Sequence, residues 1–308
     1  MKARFLISLL IGCASGLLCW LIHLGPDPND FAWSLQATRF LISGRDPYAA
    51  AFSAARGTYP ITVAPFALPF LWAGPQLAGA LFFGVSSALL AFGLSRSSYT
   101  RLLIFCAFPY WMAMLCVQWS PLVMAAALFS WLLPATLAKP QIGLPIGLTH
   151  LSRSGVIASA ALAVASLLWM PDWPVHWLSH IDWPHFVPMF VLPLGPALIL
   201  GLWCRRDPDA HLLLLTSLTP QHWFYDSFIL WLIPKSRREI LATCLLSWGA
   251  GVWRILHTPR TRAEFGVAAV AWIYLPMLAI VIWRYAAARS WLGSIEVADT
   301  FAASSYTE

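Results

Sequence analysis

Long apolar runs separated by short charged clusters dominate this chain, beginning with FLISLLIGCASGLLCWLIHL at residues 5–24. A helix needs about 20 apolar residues to cross the hydrocarbon core of a bilayer, and this run supplies them. Of the 308 residues, 59% are hydrophobic and only 10% are charged. Soluble domains carry far more charge, so the sequence predicts an all-α polytopic membrane protein. The net charge of +6 comes from clusters of Lys and Arg between apolar runs, which is the positive-inside pattern and excludes a nucleic-acid partner.

The apolar runs predict one integral membrane domain with about nine membrane segments, counting short arms. The runs are residues 5–24, 61–72, 76–95, 102–117, 122–138, 155–170, 186–204, 211–234, 240–256 and 267–285. The run at 61–72 is too short to span, so we expect it to be re-entrant or interfacial. The predicted organisation is a first span (1–24), an outer loop with an amphipathic helix (25–58), spans with the re-entrant segment (59–170), a Trp- and His-rich outer loop (171–185), the remaining spans (186–288) and a tail (289–308).

The charges beside the apolar runs predict the orientation of the chain. Lys2 and Arg4 precede the first span, which indicates a cytoplasmic N-terminus. The loop PDWPVHWLSHIDWPH at 171–185 has no Lys or Arg and three Trp, which indicates the outer face. We therefore predict a multi-pass protein of a cell membrane, with the bacterial inner membrane as the first choice.

The apolar stretch at 211–234 is interrupted by TPQHWFYD (219–226) and has basic clusters on both flanks. Two short arms that meet at the interruption would keep both clusters inside, whereas one crossing would not. With that count the loop holding Arg260 and Arg262 falls outside, against the charge rule. His222 and Asp226 are costly to bury in such a stretch, so they mark either a polar site or a structural pair one helical turn apart.

The stretch DFAWSLQATRFLISGRDPY (30–48) follows the first span and predicts an amphipathic helix on the outer membrane surface. One face holds Gln36, Arg39 and Ser43, and the other holds Phe31, Leu35, Thr38 and Ile42. Asp30 begins this helix and has two open interpretations. It is either an N-cap, for which Asp27 and Asn29 are alternatives, or a carboxylate that faces a site.

Two further clusters have simpler interpretations. Lys139, followed by Pro140, is interpreted as a cytoplasmic anchor at the end of the run at 122–138. His176 and His180 lie four residues apart, but the loop offers only His185 as a further histidine and no cysteine, so a metal site is not predicted there.

An ordered set of short motifs resembles the GT-C membrane glycosyltransferases, and glycosyltransferase family 87 in particular. That family comprises polyprenyl-phosphate-mannose-dependent alpha-mannosyltransferases and their bacterial relatives. The stretches that carry the resemblance are Asp30-Phe31, Thr38-Arg39, Gly44-Arg45-Asp46-Pro47-Tyr48, Tyr59-Pro60, Val117-Gln118, Lys139-Pro140-Gln141, and Thr219-Pro220-Gln221-His222-Trp223 with Asp226. Two positions depart from the family: Ile61 replaces the second proline of Tyr-Pro-Pro, and Val117 replaces the glycine of Gly-Gln.

The resemblance implies a GT-C-like bundle and an inverting transfer of a hexose, with mannose as the first choice, on the outer face. The donor would be a polyprenyl-phosphate sugar, the acceptor a lipid or glycan, and Asp30 the catalytic base. The residues expected to bind the donor phosphate or the substrate are His222, Arg39, Arg260, Arg262, Tyr48, Tyr59, Gln118 and Asp226. No nucleotide diphosphate leaves in this reaction, so neither a metal nor another cofactor is predicted. Membrane lipids are the other expected partners, and the sequence names no protein partner.

Two other classes of protein stay open. A non-catalytic polytopic subunit of a membrane assembly would keep the same fold, and the departures at Ile61 and Val117 favour it. A transporter for a lipid-linked substrate is suggested by the broken segment at 219–226, although no second break repeats it elsewhere, as transporters often show.

Overall fold

The computed structural model describes residues 1–24, 29–48, 59–181, 185–257 and 261–288. The α-helices are α1 (Lys2–Ile22), α2 (Phe31–Ile42), α3 (Ala64–Ala67), α4 (Pro75–Leu94), α5 (Phe108–Cys116), α6 (Ser120–Ala126), α7 (Pro140–Thr149), α8 (Arg153–Trp169), α9 (Trp173–Ser179), α10 (Pro208–Leu218), α11 (Arg237–Leu256) and α12 (Arg262–Ala269). The 3₁₀ segments are Ile61–Val63, Leu68–Phe70, Tyr99–Cys106, Ser130–Ala138, Pro188–Phe190, Gly195–Cys204 and Phe224–Leu232. Within these ranges the only β-type pairing is an isolated bridge between Phe186 and Gln221.

Four described helices are long and apolar enough to cross a membrane: Lys2–Ile22, Pro75–Leu94, Arg237–Leu256 and Arg262–Ala288, the last formed by α12 and its continuation. Two helix pairs, bent by 63° and 89°, raise that number to six if each pair is one span. They are Tyr99–Cys106 with Phe108–Cys116, and Arg153–Trp169 with Trp173–Ser179. The fold is consistent with the predicted all-α polytopic membrane protein, and the finer number of nine segments stays a prediction.

Helices α1 and α4 pack closely because glycines lie at their interface. A Cβ on Gly12 would lie 2.8 Å from the carbonyl oxygen of Gly84, and a Cβ on Gly84 would lie 2.8 Å from the carbonyl oxygen of Gly12. Small residues let two apolar helices approach until their backbones touch, which strengthens dispersion contacts between them. This pair positions α4 as the wall against which α2 packs.

Helix α2 is amphipathic, as predicted, but its apolar face is covered by protein. Gln36, Arg39 and Ser43 are exposed on the polar face. On the other face Phe31, Leu35 and Thr38 are buried, and the Phe31 ring stacks on Phe82 of α4 with 4.1 Å between centroids. Ile42, predicted on the same face, is 55% exposed. It lies in the last turn of the helix and lines an apolar groove with Leu68 and Trp169.

The prediction of one crossing at residues 122–138 is wrong, because this stretch folds back as a hairpin. Helix α6 has 7 residues and extends only about 10 Å, which is too short to cross a bilayer. The backbone then becomes extended at Phe129, and Ser130–Ala138 leads back toward the start of α6, since the Lys139 ammonium lies 2.6 Å from Gln118. The Arg96 guanidinium lies 4.9 Å from the Phe129 ring at the tip of the hairpin. The hairpin therefore returns Lys139 to the end of α5.

The predicted break at 219–226 is confirmed as the tip of a second hairpin. Helix α10 forms one arm and Phe224–Leu232 the other. An ion pair of 2.9 Å between Lys235 and Asp209 joins the two flanks, so both lie at the same end of the fold. The tip of this second hairpin meets the open end of the first one, and the candidate site lies at that junction.

Candidate functional site

Four polar side chains from four different elements form one hydrogen-bonded chain. Asp30 precedes α2, Gln118 follows α5, Lys139 precedes α7, and Asp226 lies in the first turn of Phe224–Leu232. The Gln118 amide nitrogen donates to Asp30 Oδ2, and the Lys139 ammonium donates to Gln118 Oε1 at 2.6 Å and to Asp226 Oδ1 at 2.6 Å. Buried polar groups of this kind need complete partnering, which ties the four elements together.

Asp30 does not cap α2 with its side chain, although it occupies the N-cap position. The capping bond comes from Asn29, whose Oδ1 accepts from the backbone N–H of Ala32 at 3.1 Å. The Asp30 backbone N–H donates to the carbonyl of Cys116 at 3.3 Å, which fixes the start of α2 against the end of α5. The Asp30 carboxylate is half-buried and is held by Gln118 instead. The capping interpretation is therefore wrong for Asp30 and right for Asn29.

Gln118 is positioned by a strained backbone. The preceding residue, Val117, has φ 52° and ψ 58°, which is the left-handed region. A β-branched residue is an outlier there, since its Cβ collides with the carbonyl oxygen, whereas glycine adopts it without cost. Strain of this kind is concentrated at functional sites.

Lys139 and Asp226 form an ion pair whose side chains are 1% and 0% exposed. The Lys139 ammonium also lies 4.4 Å from the centroid of the Tyr225 ring, where a cation is attracted to the aromatic face. The second carboxylate oxygen of Asp226 accepts from the backbone N–H of His222 at 2.7 Å. Both buried charges are thus compensated by close partners, as charges without water must be. Lys139 is not a cytoplasmic anchor.

Tyr59 and Tyr48 connect the network to the loop after α2. The Tyr59 hydroxyl donates to Gln118 Oε1 at 3.5 Å, and its carbonyl accepts from the Tyr48 hydroxyl at 2.8 Å. Burial raises the pKa of Tyr59 well above its usual value, with the nearby Asp30 charge acting in the same direction. Burial likewise raises the pKa of Tyr48. Both phenols therefore remain neutral donors at any physiological pH.

His222 lines a cavity of about 280 Å³ between the second hairpin and α9. The other lining residues include Pro140, Gln141, Leu144, Trp177 and His185. Asp30 is not one of the residues that line this cavity. The predicted base and the predicted phosphate-binding histidine therefore lie at the two ends of one polar network, with the Lys139–Asp226 pair between them.

Two of the predicted arginines, Arg39 and Arg262, lie outside this network. Arg39 is exposed and donates to the carbonyls of Leu71 and Ala73 at 3.0 and 3.4 Å, so it fixes the end of the short segment at 61–72. Arg262 packs on the aromatic face of Trp223, with 4.7 Å to the ring centroid. Arg260 lies outside the described residues.

Lys139 is the functional candidate that sequence reasoning missed. The signal that could have identified it is the ordered motif Lys139-Pro140-Gln141, which the positive-inside rule led us to interpret as an anchor. Within the described ranges no three His, Cys, Asp or Glu side chains lie close enough together to hold a metal ion. The network could hold a hydroxyl or another neutral polar group beside Asp30.

No protein-family model, curated protein or solved structure matches the chain. The fold and the site therefore define the class of protein. It is an all-helical bundle, consistent with a polytopic membrane protein. More particularly, its two short hairpins meet at a buried ion pair that is linked to one half-buried carboxylate.

Proposed function

We propose that the protein is an inverting glycosyltransferase that moves a hexose from a polyprenyl-phosphate donor to a lipid or glycan acceptor, with mannose as the first choice. The proposal includes a GT-C-like bundle of about nine membrane segments in a bacterial inner membrane, with the N-terminus in the cytoplasm and the site towards the outer face. Asp30 is the catalytic base. The carboxylate is supported by a hydrogen bond from Gln118 and by the rest of the same network, which includes Tyr59, Tyr48 and Asp226.

The observation that carries the proposal is the state of the Asp30 carboxylate. It is half-buried, it is relieved of helix capping by Asn29, and it is oriented by a fully buried amide. Asp at that position commonly caps its own helix, whereas here Asn29 makes the capping bond and the Asp30 carboxylate accepts from Gln118. A reactive group must be held in a defined position, and it is held best by a neighbour that is itself fixed.

The chemistry suits an aspartate. A free Asp has a pKa of about 3.9, far below that of an alcohol, so it cannot ionise the acceptor hydroxyl in the ground state. As the bond from the anomeric carbon to the phosphate oxygen breaks, the sugar becomes oxocarbenium-like and the attacking hydroxyl becomes acidic. The proton then passes to Asp30, the new carbon–oxygen bond forms on the opposite face of the sugar, and the phosphate leaves with the electron pair.

The leaving phosphate needs hydrogen-bond donors or cations nearby. We assign it to the cavity that His222 lines, where Gln141 and His185 supply further polar groups. Lys139 cannot serve as a free cation for the phosphate, because its charge is neutralised by Asp226. Arg39, Arg260 and Arg262 remain the arginines proposed to guide the donor from the surface.

A donor comparison tests this proposal. The purified protein in lipid nanodiscs is given polyprenyl-phosphate mannose, polyprenyl-phosphate glucose or GDP-mannose, together with a lipid extract as acceptor, and products are analysed by mass spectrometry and NMR. We expect transfer from a polyprenyl-phosphate sugar, no transfer from the nucleotide sugar, and inversion at the anomeric carbon. Retention of configuration, or transfer from GDP-mannose alone, would contradict the proposal.

One observation favours a second candidate, a non-catalytic membrane subunit. The cavity that His222 lines does not include Asp30 among its lining residues, so a lipid could bind there with no carboxylate beside it. If the protein is such a subunit, we expect the wild type to bind polyprenyl-phosphate lipids without turnover. We also expect it to form a stable complex with other membrane proteins.

A further inference from the structure

The Gln118 side chain lies between a donor group and an acceptor group, and it is completely buried. Its oxygen accepts from the Lys139 ammonium at 2.6 Å and from the Tyr59 hydroxyl at 3.5 Å. Its nitrogen donates to the Asp30 carboxylate. The amide therefore has donors on one side and the Asp30 carboxyl group as an acceptor on the other.

The two ends of a glutamine amide have nearly the same shape, so packing alone does not decide which end faces Asp30. The chemistry of the neighbours decides it. A lysine ammonium has three N–H donors and no acceptor, so the amide oxygen must face Lys139. The reversed amide would oppose N–H to ammonium and oxygen to carboxylate, two repulsive contacts for a fully buried side chain.

Lys139 is itself held firmly. Asp226 binds the ammonium at 2.6 Å, the Tyr225 ring lies 4.4 Å from it, and the side chain is 1% exposed. Asp226 is in turn fixed by the backbone N–H of His222. Nothing in this arrangement lets the ammonium turn away from Gln118.

We propose that Lys139 is a positioning residue for Asp30 that acts through Gln118. It fixes the amide so that an N–H faces the carboxylate, which favours the charged, proton-accepting form of Asp30. Without Lys139 the amide oxygen can face Asp30, and that arrangement favours a protonated carboxyl that donates to the oxygen. The inference rests on the proposed function where it makes Asp30 the proton acceptor, whereas the orientation of the amide is argued from the geometry alone.

The test measures the protonation of Asp30 without requiring transfer activity. A carbodiimide modifies carboxyl groups in their protonated form, and mass spectrometry of the peptide that contains Asp30 gives the rate of labelling against pH. In the variant Lys139→Met/Asp226→Leu, which removes both buried charges, we expect the labelling midpoint to move to higher pH. The control Lys235→Met removes a lysine from an ion pair at the other end of the second hairpin and should leave the midpoint unchanged.

A second variant keeps the inference falsifiable if the first does not fold. Lys139→Gln/Asp226→Asn preserves volume and hydrogen bonding but no longer forces the orientation of Gln118, so the midpoint should move in the same direction. In Lys139→Arg only donors remain beside Gln118. The labelling midpoint of Asp30 in this variant should therefore equal that of the wild type. A midpoint equal to that of the wild type in a folded double variant overturns the inference.

Transfer assays separate this inference from the proposed function. If the wild type transfers a sugar, the double variant should lose about 100-fold in rate near neutral pH, as misplaced catalytic groups do, and recover part of it at higher pH. If the wild type transfers nothing while the labelling midpoint still moves, the proposed function fails and the positioning role of Lys139 stands.

Discussion

Lys139 and Asp226 lie 87 positions apart in sequence and form an ion pair of 2.6 Å in which both side chains are almost fully buried. This pair joins the open end of one hairpin to the tip of another. Because each charge is the main compensation of the other, the pair should behave very differently when one partner or both are removed.

The first prediction concerns the stability of this pair. Lys139→Met leaves the Asp226 charge buried without its cationic partner, so we expect it to lower the free energy of unfolding by about 3–5 kcal/mol. Lys139→Met/Asp226→Leu should recover most of that loss. Lys235→Met, in a half-exposed pair, should cost about 1 kcal/mol or less. Reversible unfolding in mixed micelles measures all three, and equal losses for the single and double variants would contradict a compensated pair.

The second prediction concerns the strained turn before Gln118. At an ordinary helical position glycine is less stable than alanine by about 1 kcal/mol. At Val117, whose φ is 52°, the order should reverse, so that Val117→Gly is more stable than Val117→Ala by about 1 kcal/mol. Ala113, in the regular part of α5, is the control, and Ala113→Gly should destabilise. If Val117→Ala is instead more stable than Val117→Gly, the turn at position 117 is not left-handed.

The third prediction concerns the contact between α1 and α4. In Gly12→Ala the added Cβ would lie 2.6 Å from the Cβ of Ala88 and 2.8 Å from the backbone oxygen of Gly84. Backbone cannot move aside cheaply, so we expect a loss of about 1–3 kcal/mol, seen as a lower thermal unfolding temperature. Gly147→Ala, inside α7, brings its Cβ no closer than 3.9 Å to the Thr136 hydroxyl and should not destabilise. A neutral Gly12→Ala would mean that the helices lie farther apart.

The fourth prediction concerns the second hairpin. Single cysteines at Arg206, Arg238 and Val175 are introduced after the 6 native cysteines have been replaced. The Asp209–Lys235 ion pair brings the flanks of the hairpin together, so positions 206 and 238 should react with an impermeant maleimide from the same side of the membrane. Position 175, on exposed α9, should react from the opposite side. Labelling of 206 and 238 from opposite sides would mean that this segment is one crossing.

Local patterns in the sequence predicted the features that depend on near neighbours. The exposed face of α2 follows from the spacing of Gln36, Arg39 and Ser43 in one helix. The break at 219–226 follows from polar residues inside an apolar stretch with basic flanks. Asn29 was visible as an alternative cap for α2 because capping is decided within one helical turn.

The features that the sequence did not predict depend on contacts between distant residues. Lys139 meets Gln118 21 positions away and Asp226 87 positions away, and no local pattern encodes such pairs. The positive-inside rule describes lysines near water and does not apply to one that is paired inside the fold. The hairpin at 122–138 was missed because hydropathy measures how apolar a run is and not whether its backbone turns at Phe129.

The fifth prediction tests the central claim, that Asp30 is the base of a sugar transfer. Asp30→Asn keeps the shape of the side chain but cannot accept a proton, so it should reduce the rate of transfer from polyprenyl-phosphate mannose by about 10²- to 10⁴-fold. Asp172→Asn, which changes an exposed carboxylate at the start of α9, should keep the wild-type rate. The most direct measurement is the single-turnover rate of Asp30→Asn beside the wild type in the same nanodiscs. The account predicts that large loss in a folded variant, and an Asp30→Asn rate equal to that of the wild type would contradict it.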